Sequence, residues 1–209
     1  MKLIGVIDTQ DYEFNSDVID RGAVRCVSIS RGKILLLKTN KNYYVFPGGH
    51  YDLSDNNDDI KCLERETVEE TGYFINNKTV KEMGLIIVIE KDKVNSSIIN
   101  TRNYYYFADL VRGKKASHFH KDYEIELGYE PVFISIKEAY NQNLCLLDEI
   151  NETFLSRDTF ALKYLIDNPK YYRNNKKWDV SFFICTKLDN LMIYYLLFRN
   201  IYYGKYNSW

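Results

Sequence analysis

The stretch "GGHYDLSDNNDDIKCLERETVEETGYF", residues 48–74, decides the fold. It opens on a glycine pair that follows Pro47, where a missing N–H donor and two unrestricted residues favour a tight turn. Apolar residues then recur at three- and four-residue spacing, with glutamates on the other side, at Ile60, Leu63 and Thr67. The pattern predicts a helix from about Asp58 to Thr71, with Gly72 as its C-cap.

Three glutamates of the predicted helix share one face. Glu66, Glu69 and Glu70 are three and four residues apart, so their carboxylates converge. Like charges at this distance repel each other, and Arg65 alone cannot neutralise three acids. Hard oxygen ligands at this density suit Mg²⁺ or Mn²⁺. The acids therefore predict a divalent-cation site, with an ordinary solvated helix face as the alternative.

The glycine pair favours a binding site over an ordinary solvated helix face. Gly48 and Gly49 let backbone N–H groups approach a phosphate closely, which indicates a substrate-binding role. Asp52 and Asp55 add two acids on the loop that faces the helix. The segment thus combines a phosphate cradle with metal-ligating oxygens.

The same residues resemble the Nudix box, whose pattern is G-x5-E-x7-R-E-U-x-E-E-x-G-U, with U a bulky apolar residue. Gly49 matches the first glycine, and "RETVEETGY", from Arg65 to Tyr73, matches the second half. Two departures stand out. Asp55 replaces the glutamate of the pattern, and the segment between Asp55 and Arg65 is two residues longer than in the pattern. We expect the extra residues to lengthen the loop before the helix.

The resemblance implies a Mg²⁺-dependent hydrolase, with Mn²⁺ as the other suitable ion. Its metal ligands would be Glu66, Glu69, Glu70, Gly49 and Asp55. Glu66 would serve as a further ligand or orient the attacking water, and Glu69 would take part in catalysis. Arg65 would hold a glutamate in its rotamer. A general base from a later loop would be Glu124 or Glu126, and the residues leave that choice open.

Family resemblance also implies the substrate class, a nucleoside diphosphate linked to another moiety. A nucleoside triphosphate or related small nucleotide is favoured, because the chain has only three prolines, Pro47, Pro131 and Pro169, and none lies where ADP-ribose hydrolases carry one. The alternative is a catalytically weak Nudix-fold protein that binds nucleotides or regulates a partner. Asp55 and the two-residue insertion favour this alternative.

The rest of the chain predicts a mixed sheet. "AVRCVSI" and "KILLLK" read as a hairpin around Ser30-Arg31-Gly32, and "NYYVF" as a strand that ends at Pro47. Further strands are "MGLIIVIE", "NYYYFADLV" and "PVFISI", and helices are predicted at about 137–141 and 152–167. This order predicts an α/β fold with helices on the faces of a mixed sheet. The resemblance specifies a Nudix-type α/β/α sandwich.

Composition divides the chain at about residue 168. Residues 1–168 would form the Nudix hydrolase domain, and residues 169–209 an aromatic-rich helical extension with apolar residues on several sides. Packing of this extension onto its own domain and homodimerisation through it are both open. Lys187, Asp189 and Asn190 interrupt its apolar run, so no membrane span is expected.

Charge and cysteine content exclude other classes. The 28 basic and 29 acidic residues nearly balance, so neither nucleic acid nor an anionic membrane is an expected partner. RNA decapping would need a basic stripe, which the chain lacks. Four widely spaced cysteines form no zinc or disulfide pattern, which favours reduced thiols in a cytoplasmic protein. His118 and His120 lack a third ligand nearby and are not expected to bind zinc.

Overall fold

The computed structural model describes residues 1–116 and 126–171 of the 209-residue chain. Its strands are β1 (Leu3–Asp8), β2 (Val18–Val27), β3 (Ile29–Ser30), β4 (Lys33–Lys38), β5 (Tyr44–Val45), β6 (Tyr73–Ile75), β7 (Lys81–Lys91), β8 (Ile98–Phe107), β9 (Leu110–Lys115) and β10 (Glu130–Ile134). Its helices are α1 (Asp59–Thr71), α2 (Ile136–Leu146) and α3 (Thr153–Asp167).

The main sheet mixes parallel and antiparallel pairs. Its strand order is β1-β7-β8-β2, with β1 parallel to β7, β7 antiparallel to β8, and β8 parallel to β2. A second, antiparallel sheet has the order β10-β4-β3, and β5 also pairs with β4. Strands β6 and β9 form a separate antiparallel pair. The predicted mixed sheet is therefore confirmed.

Helices cover both faces of the main sheet. Val24 and Cys26 of β2 pack in one buried cluster with Cys62 and Leu63 of α1. Val27, the next residue of the same strand, packs in another cluster with side chains of α3. Successive side chains of a strand point to opposite faces, so α1 and α3 lie on opposite sides of the sheet. This arrangement confirms the predicted α/β/α sandwich.

Capping residues set the limits of α1 close to where the sequence predicts them. The Asp58 carboxylate accepts hydrogen bonds from the backbone N–H groups of Ile60 at 2.9 Å and Lys61 at 3.2 Å. At the other end Gly72 is left-handed, with φ 73°, and its N–H donates to the Val68 carbonyl at 2.8 Å. The helix that carries the glutamates is thus defined by local chemistry.

The loop before α1 joins the 3₁₀ turn Leu53–Asp55 to the helix. Asn56 and Asn57 both have positive φ, 53° and 57°. Asparagine tolerates this left-handed conformation better than most residues do. The chain therefore turns sharply between Asp55 and the helix, and the lengthening of this loop by the insertion stays a prediction.

Several predicted strands differ from the observed ones. The turn at Arg31-Gly32 is present, but of the two strands that contain "AVRCVSI" only β3 pairs with β4, whereas β2 pairs with β8. "NYYYFADLV" is interrupted after Phe107 because Ala108 donates to Val27 while the Asp109 carbonyl accepts from Asn76. The predicted strand "NYYVF" is reduced to β5. Helix α2 is longer than the predicted segment 137–141, and α3 matches its prediction.

Some predictions lie outside the described residues. These are Glu124, His118 and His120, and the extension beyond residue 171 with its helix and homodimer interface. Of the C-terminal segment, the structure describes only a short 3₁₀ turn, Pro169–Tyr171. Within the described residues, no helix is both long enough and apolar enough to span a membrane.

Candidate active site

The glycine turn, Pro47–Gly49, lies along the edge of β2. The Cys26 N–H donates to the Pro47 carbonyl at 2.7 Å, and the Val24 N–H donates to the Gly49 carbonyl at 2.9 Å. The turn therefore continues the main sheet at an otherwise unpaired edge. This pairing fixes the turn beside α1.

Both glycines are closely packed against neighbouring atoms. Gly48 has φ 138°, which L side chains rarely adopt, and a Cβ atom there would overlap the Val24 carbonyl oxygen. A Cβ atom on Gly49 would lie 2.5 Å from the carboxyl carbon of Glu66. The space that a side chain would occupy at residue 49 is thus filled by a glutamate of α1.

Arg65 draws three carboxylates together. Its Nε and Nη2 atoms donate to the two oxygens of Asp55 at 3.0 and 2.7 Å. Its Nη1 donates to Glu66 at 2.6 Å and to Glu69 at 3.1 Å. A fourth carboxylate, Glu70, accepts the backbone N–H of Gly48 at 2.6 Å. We call Asp55, Glu66, Glu69 and Glu70 the carboxylate cluster.

The carboxylate cluster keeps excess negative charge in a partly enclosed place. Asp55, Glu66 and Glu70 are buried, whereas the Glu69 side chain is 35% exposed. Three of these carboxylates are paired with the single guanidinium of Arg65, which leaves two negative charges when all three are ionised. The hydrogen bonds from Arg65 lower the pKa of Asp55 to about 2, against the opposing effect of burial. Asp55 is therefore ionised at neutral pH.

Asp55 is expected to stabilise the fold through Arg65. Asp55→Asn removes one of the three charged acceptors of the guanidinium, so we expect the free energy of unfolding to fall by about 2 kcal/mol at pH 7. Urea denaturation measures this change. Asp52→Asn is the matched control, because Asp52 caps the same turn, with the Ser54 N–H donating to it at 3.0 Å, and makes no described bond with Arg65. Equal losses for the two variants would contradict the role given to Asp55.

The carboxylate cluster suits a divalent cation by ligand type and by charge, since carboxylate oxygens are the ligands that Mg²⁺ and Mn²⁺ prefer. The positions of the side chains, in contrast to their chemical type, do not form a metal site in the described residues. Across residues 1–116 and 126–171, no three acidic, histidine or cysteine side chains are grouped so that they could hold a metal ion. The oxygens of Asp55, Glu66 and Glu69 are directed towards Arg65 instead.

Two other acids considered for the site, Glu126 and Asp52, make no described side-chain bond with Arg65. Glu126 is exposed, and its backbone carbonyl accepts a hydrogen bond from the Asn40 side chain at 2.7 Å. Among the described contacts, none joins the Glu126 side chain to the carboxylate cluster. Asp52 caps the 3₁₀ turn Leu53–Asp55 and does not contact Arg65 in the described bonds. Of the predicted residues, the structure thus brings together Asp55 and the helix residues at Arg65, but not Glu126.

Sequence reasoning missed a group of buried polar side chains behind the glycine turn. We call it the buried ion network, and its members are Arg25, Asn103, Tyr105, Arg157 and Asp158. The Arg157 guanidinium donates to both oxygens of Asp158, at 2.8 and 2.9 Å. The available signal was a charged residue within the apolar run "AVRCVSI", because arginine is rarely buried without a partner.

Sequence reasoning also missed the contact that fixes the start of α1. The Asp59 carboxylate accepts hydrogen bonds from the hydroxyl groups of Tyr51 and Tyr106. Burial, followed by these hydrogen bonds to Asp59, raises the pKa of both tyrosines. Tyr106 belongs to β8, so the first turn of the helix is bound directly to the main sheet.

Comparison with known proteins gives matches among solved structures only. No family model matches the chain, and no curated protein matches it. A NUDIX hydrolase from Nitrosomonas europaea is 17% identical, over 78% of this chain and 100% of that one, with a TM-score of 0.47. A MutT NUDIX hydrolase from Burkholderia pseudomallei is 16% identical, over 70% and 98%, with a TM-score of 0.45.

An ADP-ribose pyrophosphatase from Streptococcus suis is 17% identical, over 76% of this chain and 96% of that one, with a TM-score of 0.43. The chain is thus similar to several solved Nudix hydrolases, at an identity and a TM-score from which no statement about activity follows.

Proposed function

We propose that this protein is a Nudix hydrolase, which cleaves a diphosphate bond in a nucleoside diphosphate linked to another moiety and depends on Mg²⁺ or Mn²⁺. One observation supports the proposal above all others. Residues of a Nudix-like motif from three separate places, the glycine turn, Asp55 and helix α1, converge on Arg65 and on the Gly48 N–H. A solvated acidic helix face would not need this convergence.

Each residue of the site has a proposed role. Glu66, Glu69 and Glu70 would hold the divalent ion. The Gly49 carbonyl, which accepts from the Val24 N–H at 2.9 Å and from the Cys62 thiol at 3.9 Å, would add a backbone ligand. Asp55, with both oxygens on Arg65, would act by fixing the guanidinium, which in turn holds the Glu66 and Glu69 rotamers.

When bound, the ion would offset phosphate charge and lower the pKa of the attacking water. The chain would supply the remaining elements. The glycine turn would let the diphosphate approach the backbone without steric obstruction, and Glu66 would ligate the ion or orient the water. Glu124 or Glu126 would accept the water's proton, and both remain candidates. The favoured substrate is a nucleoside triphosphate or a related small nucleotide.

A panel of nucleotides tests this proposal. Phosphate and pyrophosphate release would be measured for triphosphates, diphosphate sugars and dinucleoside polyphosphates, with Mg²⁺ present or chelated. We expect turnover of at least one substrate, restored when Mg²⁺ is added back after chelation. Turnover that is unchanged by chelation would contradict the assigned role of the carboxylate cluster.

One observation favours the alternative, a catalytically weak protein that binds nucleotides or regulates a partner. Arg65, not a vacant ion position, lies at the centre of the carboxylates in the described structure. The nucleotide panel distinguishes the two. Nucleotide binding without metal-dependent turnover, measured by calorimetry beside the release assay, would favour the alternative.

A further inference from the structure

Arg25 occupies an unusual place for a cation. It lies in the middle of β2, between Val24 and Cys26, and is 7% exposed. Burial lowers its pKa, as does the neighbouring charge of Arg157. Removing a guanidinium from water costs several kcal/mol unless its donors are well bonded. An apolar side chain would suit this strand better for stability alone, so the contacts of Arg25 need another explanation.

One of those contacts is with the glycine turn. The Nη1 atom of Arg25 donates to the Gly48 carbonyl oxygen, and Nη2 donates to the Asn103 side chain at 3.3 Å. The N–H of the same Gly48 donates to Glu70 at 2.6 Å. One glycine therefore joins the buried arginine to a carboxylate of the proposed metal site.

Gly48 needs such a restraint. A glycine has the widest choice of backbone conformations, and φ 138° is only one of them. The Gly48 N–H lies in the Pro47–Gly48 peptide group, which the Cys26 N–H holds at its carbonyl, and the Gly48 carbonyl lies in the next peptide group, which Arg25 holds. A bond to each side of the residue fixes the direction of both groups.

The rest of the buried ion network supports Arg25. The Asn103 oxygen also accepts from Arg157 at 3.2 Å. Asp158 accepts from the Tyr105 hydroxyl at 2.7 Å and from the Phe46 N–H at 3.0 Å. Phe46 and Gly48 flank Pro47, so the network holds the glycine turn on both sides of the proline.

Formal charge is balanced across this assembly. Arg25 and Arg157 carry two positive charges, and Asp158 and Glu70 carry two negative ones. Arg25 and Glu70 are bonded to the same glycine, one at its carbonyl and the other at its N–H. The arrangement thus keeps a negative carboxylate of the cluster next to a compensating buried charge.

We propose that Arg25 is a positioning residue for the metal-binding carboxylates, acting through the Gly48 peptide groups on Glu70. This inference rests on the proposed function, because the ion is what Glu70 would be positioned to bind. Arg25 itself would touch neither the ion nor the substrate. Its effect would appear in metal use and in kcat, not in nucleotide affinity.

Arg25→Lys tests the inference. Lysine keeps the charge but lacks the planar fork that reaches Gly48 and Asn103 together. We expect kcat to fall about 10- to 100-fold, the usual cost of losing a group that orients a metal ligand. The Mg²⁺ concentration for half-maximal activity should rise about as much, while the nucleotide KM changes less than about twofold.

The matched control is Arg102→Lys. Arg102 lies on the neighbouring strand β8, and its side chain is 42% exposed and pairs only loosely with Asp20, at 3.4 Å. We expect this variant to have natural kcat and natural Mg²⁺ dependence. Thermal denaturation would establish that each variant is folded at the assay temperature. If Arg25→Lys does not fold, Asn103→Ser takes its place, since it removes the acceptor shared by both arginines and keeps both charges.

A second readout separates this inference from the proposed function. Mn²⁺ binding, followed by electron paramagnetic resonance, needs no turnover. Weaker Mn²⁺ binding by the folded variant than by the natural protein supports the inference even if no nucleotide is hydrolysed. Natural kcat and natural Mn²⁺ affinity in the folded variant would overturn it. Failure of the natural protein to bind Mn²⁺ would overturn the inference and the proposed metal site together.

Discussion

Glu69→Gln is expected to abolish most of the activity while leaving the fold intact. Glu69 is the most exposed member of the carboxylate cluster, and it shares the Nη1 group of Arg65 with Glu66. Removing one group that serves the transition state usually costs about 100- to 1,000-fold in kcat. Stability should change by less than about 0.5 kcal/mol, because an exposed ion pair is lost while repulsion among carboxylates is relieved. Nucleotide turnover and urea denaturation measure the two effects.

Glu64→Gln is the matched control for this variant. Glu64 belongs to the same helix, but its carboxylate accepts a hydrogen bond from Asn77 at 3.1 Å and takes no part in the contacts of Arg65. We expect natural turnover. A large loss of stability in Glu69→Gln, with proportional loss of activity, would mean that the carboxylate cluster has a structural role.

Gly48→Ala is expected to have the largest effect on stability. The new methyl group would overlap the Val24 carbonyl oxygen, which belongs to the backbone and cannot move aside cheaply. The left-handed φ adds strain for any residue with a Cβ atom. Together these effects should lower the free energy of unfolding by about 3 kcal/mol or more. Thermal and urea denaturation would measure the loss.

Gly49→Ala distinguishes the effect of steric strain on stability from the effect of the glycine turn on turnover. Its Cβ atom would meet the end of the Glu66 side chain, which can rotate away, and Gly49 is not among the residues of positive φ. We therefore expect a smaller loss of stability than for Gly48→Ala, together with a severe loss of turnover. If Gly49→Ala kept natural turnover, the proposed contact between the glycine turn and Glu66 would not matter for activity.

Local chemistry explains why helix α1 was predictable. Asp58 and Gly72 act on backbone groups within four residues of themselves, so their effect is visible in the sequence. The pairing of Arg65 with Glu69 is likewise a property of one helix turn. The left-handed conformation of Asn56 and Asn57 has the same local origin.

Long-range pairing explains the failures. Residues 23–27 of β2 are all buried, so this part of the strand has no exposed face to indicate whether it pairs with β4 or with β8. The buried ion network was not predicted for a similar reason. Arg25, Asn103 and Arg157 are more than fifty residues apart from one another in the chain, and only the folded sheet and α3 bring them together. No spacing rule reveals a contact of that kind.

Mn²⁺ binding to the purified protein tests most directly the claim that the carboxylate cluster holds a divalent ion. Electron paramagnetic resonance would follow free Mn²⁺ during titration of the natural protein, Glu69→Gln and Glu64→Gln. We predict binding at millimolar Mn²⁺ or below for the natural protein and Glu64→Gln, and at least about tenfold weaker binding for Glu69→Gln. No binding by the natural protein at millimolar Mn²⁺, or equal affinity in Glu69→Gln, would contradict the account.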